Sequence, residues 1–322
     1  MAPRKLLVVA VVAAVLGGAA WLNTPPALVS AAVRPQLPDD IDAWLADTER
    51  QVATQYALIP DTEKRVTWFG EAGARTPYAV VNLHGFSATR QETAPLAEQV
   101  AAALGANLFE TRLAGHGHTE QPMHEVRAED WLDDTAEALA IGARLGEKVV
   151  VIGTSTGGTL ALAMTNHDTA EPVTDIVVIS PNLQPSDGKA AWLTRPAGPL
   201  IARLIAGDTR SWEAHNEQQE RYWSTTYPIE AAVEMMRLVD MLNERLPLQL
   251  EQNVLVLLSP DDEVVSPEAT KQAFEQIGAP HKALVEIVDP GDPSNHVLAG
   301  DILSPGSTDD LTTLIVDFVR RR

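Results

Sequence analysis

Ser155 stands between glycines where an apolar run gives way to small residues. The string GTSTGG at residues 153–158 follows KVVVI at residues 148–152. A strand that turns sharply into a helix holds a serine hydroxyl above its sheet, at a helix N-terminus that stabilises developing negative charge. The pattern therefore predicts Ser155 as the nucleophile of an acyl-transfer reaction. The structural alternative is an ordinary glycine-rich turn with a serine that caps the helix.

A second glycine-containing loop, HGFS at residues 84–87, follows an apolar run that ends at Leu83. A nucleophilic serine requires backbone N–H donors for the oxyanion of its tetrahedral intermediate, and a loop after an early strand can supply one. We expect the N–H groups of Phe86 and Thr156 to form this oxyanion hole. His84 is predicted to bond the backbone and shape the loop rather than to act in catalysis.

The base that activates such a serine is a histidine later in the chain. Six of the eight histidines are set aside on chain order or position: His84, His116, His118, His124, His167 and His215. Of the remaining two, His281 precedes an apolar run and His296 follows it, in DPGDPSNHVL at residues 289–298. Active-site groups of open α/β sheets collect at the carboxyl ends of strands, so His296 is the predicted base.

The carboxylate that orients the histidine is expected after the preceding apolar run, NVLVLL at residues 253–258. The string that follows, SPDDEVVSP, offers Asp261, Asp262 and Glu263. All three fit the chain order, so order alone leaves them open. Each taken singly is more often a solvated loop acid than a member of a triad.

Apolar runs alternate with helical patterns along most of the chain, as expected for a parallel sheet covered on both faces. The predicted strands are residues 78–83, 106–110, 148–153, 175–180, 253–259 and 283–289. The predicted helices are residues 39–55, 94–104, 128–145, 158–166, 267–277 and 309–322. This βαβ series predicts an α/β fold with a mostly parallel central sheet flanked by helices.

The alternation is interrupted over residues 183–247, which contain no apparent strand and a predicted helix at residues 229–246. We interpret this segment as a helical cap inserted into a core formed by residues 39–182 and 248–322. Five aromatic residues lie in the cap: Trp192, Trp212, Tyr222, Trp223 and Tyr227. They line an acyl or alcohol pocket in one interpretation and form the cap's own core in the other.

The N-terminus has the pattern of an export signal. Arg4 and Lys5 precede an uncharged run over residues 6–20 that ends in small residues. Residues 1–22 are predicted to be a secretory signal, or a membrane anchor if Trp21 and Leu22 extend the run. The protein is then periplasmic or extracellular, or attached to the membrane by residues 6–22. Residues 23–38 hold four prolines and are predicted to be a linker.

Composition excludes several classes of function. The formal net charge is -20, which repels nucleic acid, and the chain has no cysteine, which excludes disulfides, thiolate catalysis and a lipoprotein anchor. His116, His118 and His124 lack a nearby carboxylate pattern, so a solvated loop is predicted rather than a metal site. No metal or cofactor is predicted, and the oligomeric state is left open.

Five strings in this order, HGFS, RLAGHG, GTSTGG, DDEVVSP and NHVL, resemble the α/β-hydrolase superfamily. They are most similar to the carboxylesterases related to monoacylglycerol lipases and serine aminopeptidases, from Tyr78 to the C-terminus. The resemblance implies an α/β-hydrolase fold and Asp262 as the acid, because the family's aspartate precedes an x-Val-Val turn. Thr156 stands where relatives often have methionine or glutamine, which keeps the N–H donor and changes the pocket wall.

The resemblance implies a triad of Ser155, His296 and Asp262 that hydrolyses a small-molecule ester through an acyl-enzyme. A serine aminopeptidase or amidase on the same triad is the alternative. It needs carboxylates for a substrate amino group, and the cap offers Asp208, Glu213, Glu217 and Glu220. A membrane-associated binding protein without turnover is the third hypothesis. A dehalogenase or epoxide hydrolase is disfavoured, since such relatives carry aspartate in place of the serine.

Overall fold

The computed structural model describes residues 24–28, 35–119, 122–164, 170 and 172–321. The predicted signal or anchor at residues 1–22 lies outside these residues, as does the predicted helix end at Asn166. Among the described residues, no helix is both long enough and apolar enough to cross a membrane.

The strands form one large sheet and two small ones. In chain order they are β1 (Arg65–Thr67), β2 (Thr76–Leu83), β3 (Asn107–Glu110), β4 (Gly146–Thr154), β5 (Val173–Ile179), β6 (Thr209–Ser211), β7 (Thr226–Pro228), β8 (Leu248–Gln249), β9 (Asn253–Leu258), β10 (Ile277–Gly278) and β11 (Lys282–Glu286). Seven of them form the large sheet in the order β1-β3-β2-β4-β5-β9-β11. β1 pairs antiparallel with β3, and the other neighbours are parallel. Every predicted strand is present, with ends shifted by a few residues.

Strand β4 shows how the sequence builds a core on each face of the sheet. Val149 and Val151 belong to one hydrophobic cluster, and Val150 and Ile152 belong to another. Successive side chains of a strand point to opposite faces, so an unbroken apolar run fills both. All four side chains are buried.

Helices cover both faces of the sheet. In chain order the described α-helices are α1 (Ile41–Gln55), α2 (Leu96–Leu104), α3 (Ala128–Leu145), α4 (Thr156–Ala163), α5 (Gly198–Ala206), α6 (Glu217–Tyr222), α7 (Ile229–Glu244), α8 (Pro267–Glu275) and α9 (Thr308–Arg320). Leu96 of α2 and Ile315 of α9 share the cluster that contains Val150. Leu139 of α3 and Leu160 of α4 share the cluster that contains Val149. The α/β-hydrolase architecture expected from the sequence is therefore confirmed.

Residues 183–247 are not purely helical. Helices α5, α6 and α7 lie in this segment, but β6 and β7 form an antiparallel pair in which Arg210 lies opposite Tyr227. The expectation of no strand there was wrong, because strands of three residues are too short to show an alternating pattern. The boundaries of the predicted core and cap stay a prediction.

Part of the predicted linker contacts the folded chain. Leu28 is buried in the cluster that covers one face of the sheet. The carbonyl oxygen of Pro26 accepts a hydrogen bond from Nε of Arg237, on α7, at 2.9 Å. Residues 24–28 therefore pack beside α7 and do not form a fully solvent-exposed linker.

The topology brings the candidate site residues to one edge of the sheet. The loop at residues 84–87 follows β2, Ser155 follows β4, Asp262 follows β9 and His296 follows β11. These four strands are parallel, so their carboxyl ends lie at the same edge, where ligands of open α/β sheets bind.

Candidate active site

Ser155 occupies a strained turn between β4 and α4. Its φ is 53° and its ψ is -117°, a combination that costs a non-glycine residue about 1–3 kcal/mol. Four backbone hydrogen bonds hold it there: its N–H donates to Ile179 at 2.8 Å, and its carbonyl accepts from Gly158 at 3.0 Å and from Thr159 and Asn182 at 3.1 Å. The turn is thus fixed by the neighbouring strand and helix, which is the setting a nucleophile elbow requires.

A glycine is needed beside this turn because the backbones approach closely. A Cβ at Gly157 would collide with the backbone of Leu83 and would lie 2.7 Å from the carbonyl oxygen of His84. The glycine therefore lets α4 pack against the end of β2. This contact places Ser155 beside the loop at residues 84–87.

His296 and Asp262 are hydrogen-bonded to each other. Nδ1 of His296 lies 2.8 Å from Oδ2 of Asp262, and both side chains are buried. The second oxygen, Oδ1, accepts the N–H groups of Val264 at 2.8 Å and Val265 at 2.9 Å. These bonds aim the Asp262 carboxylate at His296, whereas its neighbours Asp261 and Glu263 are exposed.

The environment of His296 favours its protonated form. Burial by itself lowers the pKa of His296, but the charge and hydrogen bond of Asp262 raise it, and Glu92 and Asp292 add to the rise. The net pKa lies above the ordinary value of 6.5. An imidazolium at this position is therefore stabilised.

Asp292 fixes the loop that carries His296. Its Oδ2 accepts the N–H groups of His296 and Val297, each at 2.9 Å, and its Oδ1 accepts that of Ser294 at 3.2 Å. The hydroxyl of Ser180 donates to the carbonyl of His296 at 2.8 Å. Sequence reasoning assigned no role to Asp292, although an aspartate that opens an Asp-Pro turn is a known signal for such backbone bonds.

Two side chains hold the loop at residues 84–87 by accepting its backbone N–H groups. Oε2 of Glu92 accepts the N–H of Gly85 at 2.7 Å, and Nε2 of His116 accepts the N–H of Ser87 at 3.0 Å. Within the described ranges, the N–H of Phe86 between them has no hydrogen-bond partner. Thr156 is the first residue of α4, so its N–H is one of the helix donors that lack an intrahelical acceptor.

The histidines of this region are buried structural groups. Nδ1 of His84 bonds the carbonyl of Gly85 at 2.9 Å, and its Nε2 accepts the N–H of Leu113 at 3.0 Å, which confirms the predicted backbone role. Burial lowers the pKa of His84 well below 6.5, and burial lowers the pKa of His116 to about 4. Both rings are therefore neutral near pH 7 and able to accept N–H donors.

The solvated-loop expectation was wrong for His116 and His118, which are buried, and fits His124, whose side chain is 60% exposed. Nδ1 of His116 bonds the carbonyl of Ala114 at 2.9 Å, so the ring belongs to the turn itself. The described residues contain no group of three or more acidic or histidine side chains arranged to hold a metal ion.

Ser155 and His296 line one cavity of about 460 Å³, together with Phe86. Trp212, Trp223 and Tyr227 of the predicted cap also line it, whereas Trp192 is 68% exposed and Tyr222 packs against the small cluster that contains Trp223. Three of the five cap aromatics thus contribute to the cavity wall. The ring of Phe86 meets that of Tyr227 edge to face, with centroids 4.9 Å apart.

Charged groups are unevenly distributed around the cavity. Of the four acidic cap residues considered for an amine substrate, Glu213 lines the cavity. Asp187 and Glu263 are two more exposed carboxylates in its wall. Among the described residues that line the cavity, Arg210 alone is a lysine or arginine. A larger groove of about 740 Å³ lies beside α1 and β1, and none of the candidate site residues lines it.

Comparisons with known proteins relate the chain to one family of hydrolases. A family model described as serine aminopeptidase, S33, matches residues 75–289. The thermostable monoacylglycerol lipase of Bacillus sp. (strain H-257) is 25% identical over 236 residues, 73% of this chain and 88% of the relative.

Solved structures share the fold. A structure reported for LipS and LipT, two metagenome-derived lipolytic enzymes, has a TM-score of 0.67 and 21% identity, and the match covers 82% of this chain and all of that chain. The monoacylglycerol lipase of Paleococcus ferrophilus has a TM-score of 0.58 and 16% identity, over 80% of this chain and 97% of that one.

Proposed function

The chain belongs to the serine aminopeptidase S33 family and has the α/β-hydrolase fold, and from this premise we propose that it is a serine hydrolase of small-molecule carboxylic esters. The observation that carries the proposal is that His296, hydrogen-bonded to the buried Asp262, lines the same cavity as the strained Ser155. The lipase named among the relatives supports an ester as the substrate.

The proposed mechanism assigns one role to each group. Nε2 of His296 takes the proton of the Ser155 hydroxyl as Oγ attacks the ester carbonyl carbon. The resulting oxyanion accepts the N–H groups of Phe86 and Thr156, and Asp262 holds the Nδ1–H of the imidazolium. His296 then gives its proton to the leaving alkoxide, which departs as an alcohol and leaves the acyl group on Ser155.

Water completes the cycle in the second half of the mechanism. His296 removes a proton from a water molecule, which attacks the acyl carbon. The second tetrahedral intermediate collapses to the carboxylic acid, and the proton returns to Oγ of Ser155. The apolar lining of the cavity, including Trp223 and Val297, suits an acyl chain.

A fluorophosphonate probe tests this function. We expect the probe to label the peptide that contains Ser155, since only an activated serine reacts with it, and to abolish hydrolysis of p-nitrophenyl butyrate in proportion to labelling. Mass spectrometry of the labelled peptide is the measurement. An unlabelled protein without esterase activity would instead support the hypothesis of a binding protein that retains the fold without turnover.

The pH dependence follows from the raised pKa of His296. The base must be neutral to accept the serine proton, so kcat/KM is expected to fall as the pH drops through that pKa. The midpoint of this acid limb should lie above 6.5, the ordinary pKa of histidine. Rates between about pH 5 and 9, followed at the isosbestic wavelength of the product, measure it. A midpoint below 6.5 would contradict the proposed coupling to Asp262.

Amide hydrolysis is the second candidate, favoured by the family description and by Glu213 in the cavity wall. A carboxylate there suits the protonated amino group of an aminoacyl substrate. An aminoacyl p-nitroanilide and p-nitrophenyl butyrate should be compared on the same preparation. A higher kcat/KM for the anilide, reduced selectively in Glu213→Gln, would replace the ester proposal, whereas faster ester cleavage upholds it.

A further inference from the structure

Glu92 is a buried carboxyl group in the wall of the cavity. It ends the short 3₁₀ segment Arg90–Glu92, is 3% exposed, and lines the same cavity as Ser155 and His296. The mechanism given above assigns no role to it. A buried carboxyl group costs free energy unless it is paired, so its position calls for a physical explanation.

The charged groups around Glu92 do not compensate for the burial of its carboxyl group. Burial raises the pKa of Glu92 to about 7, against the lowering effect of the Gly85 N–H and of His296, while Asp292 raises it further. The cation nearest in sequence, Arg90, lies 3.5 Å from Glu110 instead. Among the described residues Glu92 has no ion-pair partner within 4.0 Å, and its hydrogen-bond donor is the backbone of the loop.

Gly85 lies close to both Glu92 and Ser155. A Cβ at Gly85 would lie 2.8 Å from Oε1 of Glu92 and 3.1 Å from Cβ of Ser155, so a larger residue there would displace the Glu92 carboxyl group or Ser155. The carboxyl group also accepts the Gly85 N–H at 2.7 Å. A displacement of the Glu92 side chain would therefore remove the acceptor that holds the N–H of Gly85.

The next N–H along the loop is the one that the mechanism needs. The N–H of Gly85 is taken by Glu92 and that of Ser87 by His116, and the N–H of Phe86 between them is left for a ligand. Each of the two anchors comes from a separate segment of the chain. The direction of the Phe86 N–H depends on both anchors, because a peptide plane is fixed by the residues on either side of it.

We propose that Glu92 is a positioning residue for ester hydrolysis, whose carboxyl oxygen holds Gly85 so that the Phe86 N–H faces the oxyanion. The inference rests on the proposed function and adds a residue to it. Oxyanion stabilisation acts in the transition state, so the loss of this anchor reduces kcat and leaves KM nearly unchanged.

Two neutral substitutions of similar size separate the hydrogen bond from the charge. Glu92→Gln keeps an oxygen acceptor for the Gly85 N–H, and Glu92→Met keeps the length and lacks the acceptor. With p-nitrophenyl butyrate we expect kcat of Glu92→Met to fall about 10- to 100-fold, with KM within about twofold. Glu92→Gln should stay within about threefold of wild type.

The acid limb of kcat/KM provides a readout that packing alone would not move. Ionised Glu92 raises the pKa of His296, so both substitutions should shift this limb to lower pH. Glu98→Gln and Glu98→Met are matched controls, because Glu98 is another carboxyl of raised pKa, on α2, and does not line the cavity. Neither control is expected to shift the limb or to change kcat more than about twofold.

Active-site titration with the fluorophosphonate probe and a thermal melt establish the folded fraction of each variant. Equal kcat for Glu92→Met and Glu92→Gln at equal folded fractions would overturn the inference. If Glu92→Met does not fold, Glu92→Leu, which also lacks the acceptor, takes its place, and a kcat equal to that of Glu92→Gln overturns the inference. An inactive and unlabelled wild type would instead refute the proposed function itself.

Discussion

Replacing Ser155 with alanine is expected to lower kcat for p-nitrophenyl butyrate by about 10⁶-fold, which is the typical effect of removing the nucleophile of a catalytic triad. The substitution removes only Oγ. The backbone turn is held by hydrogen bonds to Ile179, Gly158 and Asn182, none of which uses the side chain. Folding should therefore be retained, and the melting temperature should change little.

Ser211→Ala serves as the control for this change. Ser211 is an exposed serine of β6 that bonds Thr226 and does not line the cavity, so its loss should leave kcat within about twofold. An acyl-length series of p-nitrophenyl esters run on wild type and Ser155→Ala would also define the acyl preference. Comparable rates in wild type and Ser155→Ala would contradict a mechanism in which Ser155 is the nucleophile.

Chain order and strand logic were sufficient to predict where Ser155 and His296 lie. Both follow parallel strands, so their placement at one sheet edge depends only on identifying the strands and their direction. Their roles remain predictions until the substitutions are measured. Asp262 could not be separated from Asp261 and Glu263 by order, because three adjacent acids occupy the same loop.

The direction of a side chain decided between those acids in the structure. Asp262 accepts two N–H groups of the turn that follows it, and this turns its other oxygen towards His296. The family resemblance pointed to the same residue through the x-Val-Val turn. The turn identifies Asp262 in the sequence only through comparison with the family, because the residues alone do not distinguish the three acids.

Contacts between loops were beyond sequence reasoning. His116 meets Ser87 across 29 residues, and no periodic pattern connects a histidine in one turn with an N–H in another. Glu92 lies seven residues from Gly85, but an isolated glutamate on a short 3₁₀ segment gives no signal of burial. Short strands such as β6 were missed for a similar reason, since three residues cannot establish a period.

Asp262→Asn is expected to lower kcat by about 10⁴-fold with little loss of folding. The amide oxygen can still accept the N–H groups of Val264 and Val265, which keeps the turn. The amide nitrogen then faces Nδ1 of His296 and donates to it, so the ring takes the tautomer in which Nε2 carries a proton and cannot act as a base. The lost charge also lowers the pKa of His296, so the residual acid limb should move to lower pH.

Asp261→Asn and Glu263→Gln make the same charge change on either side of Asp262 and provide its controls. Both side chains are exposed, and neither hydrogen-bonds His296 among the described contacts, so each variant should keep kcat within about threefold of wild type. Steady-state kinetics of the three variants at one pH, with full pH profiles for wild type and Asp262→Asn, complete the comparison. A large loss of kcat in Asp261→Asn or Glu263→Gln, with activity retained in Asp262→Asn, would assign the orienting role to that neighbouring acid instead. The reason is that only the carboxylate bonded to Nδ1 of His296 can stabilise the imidazolium that forms as Ser155 attacks.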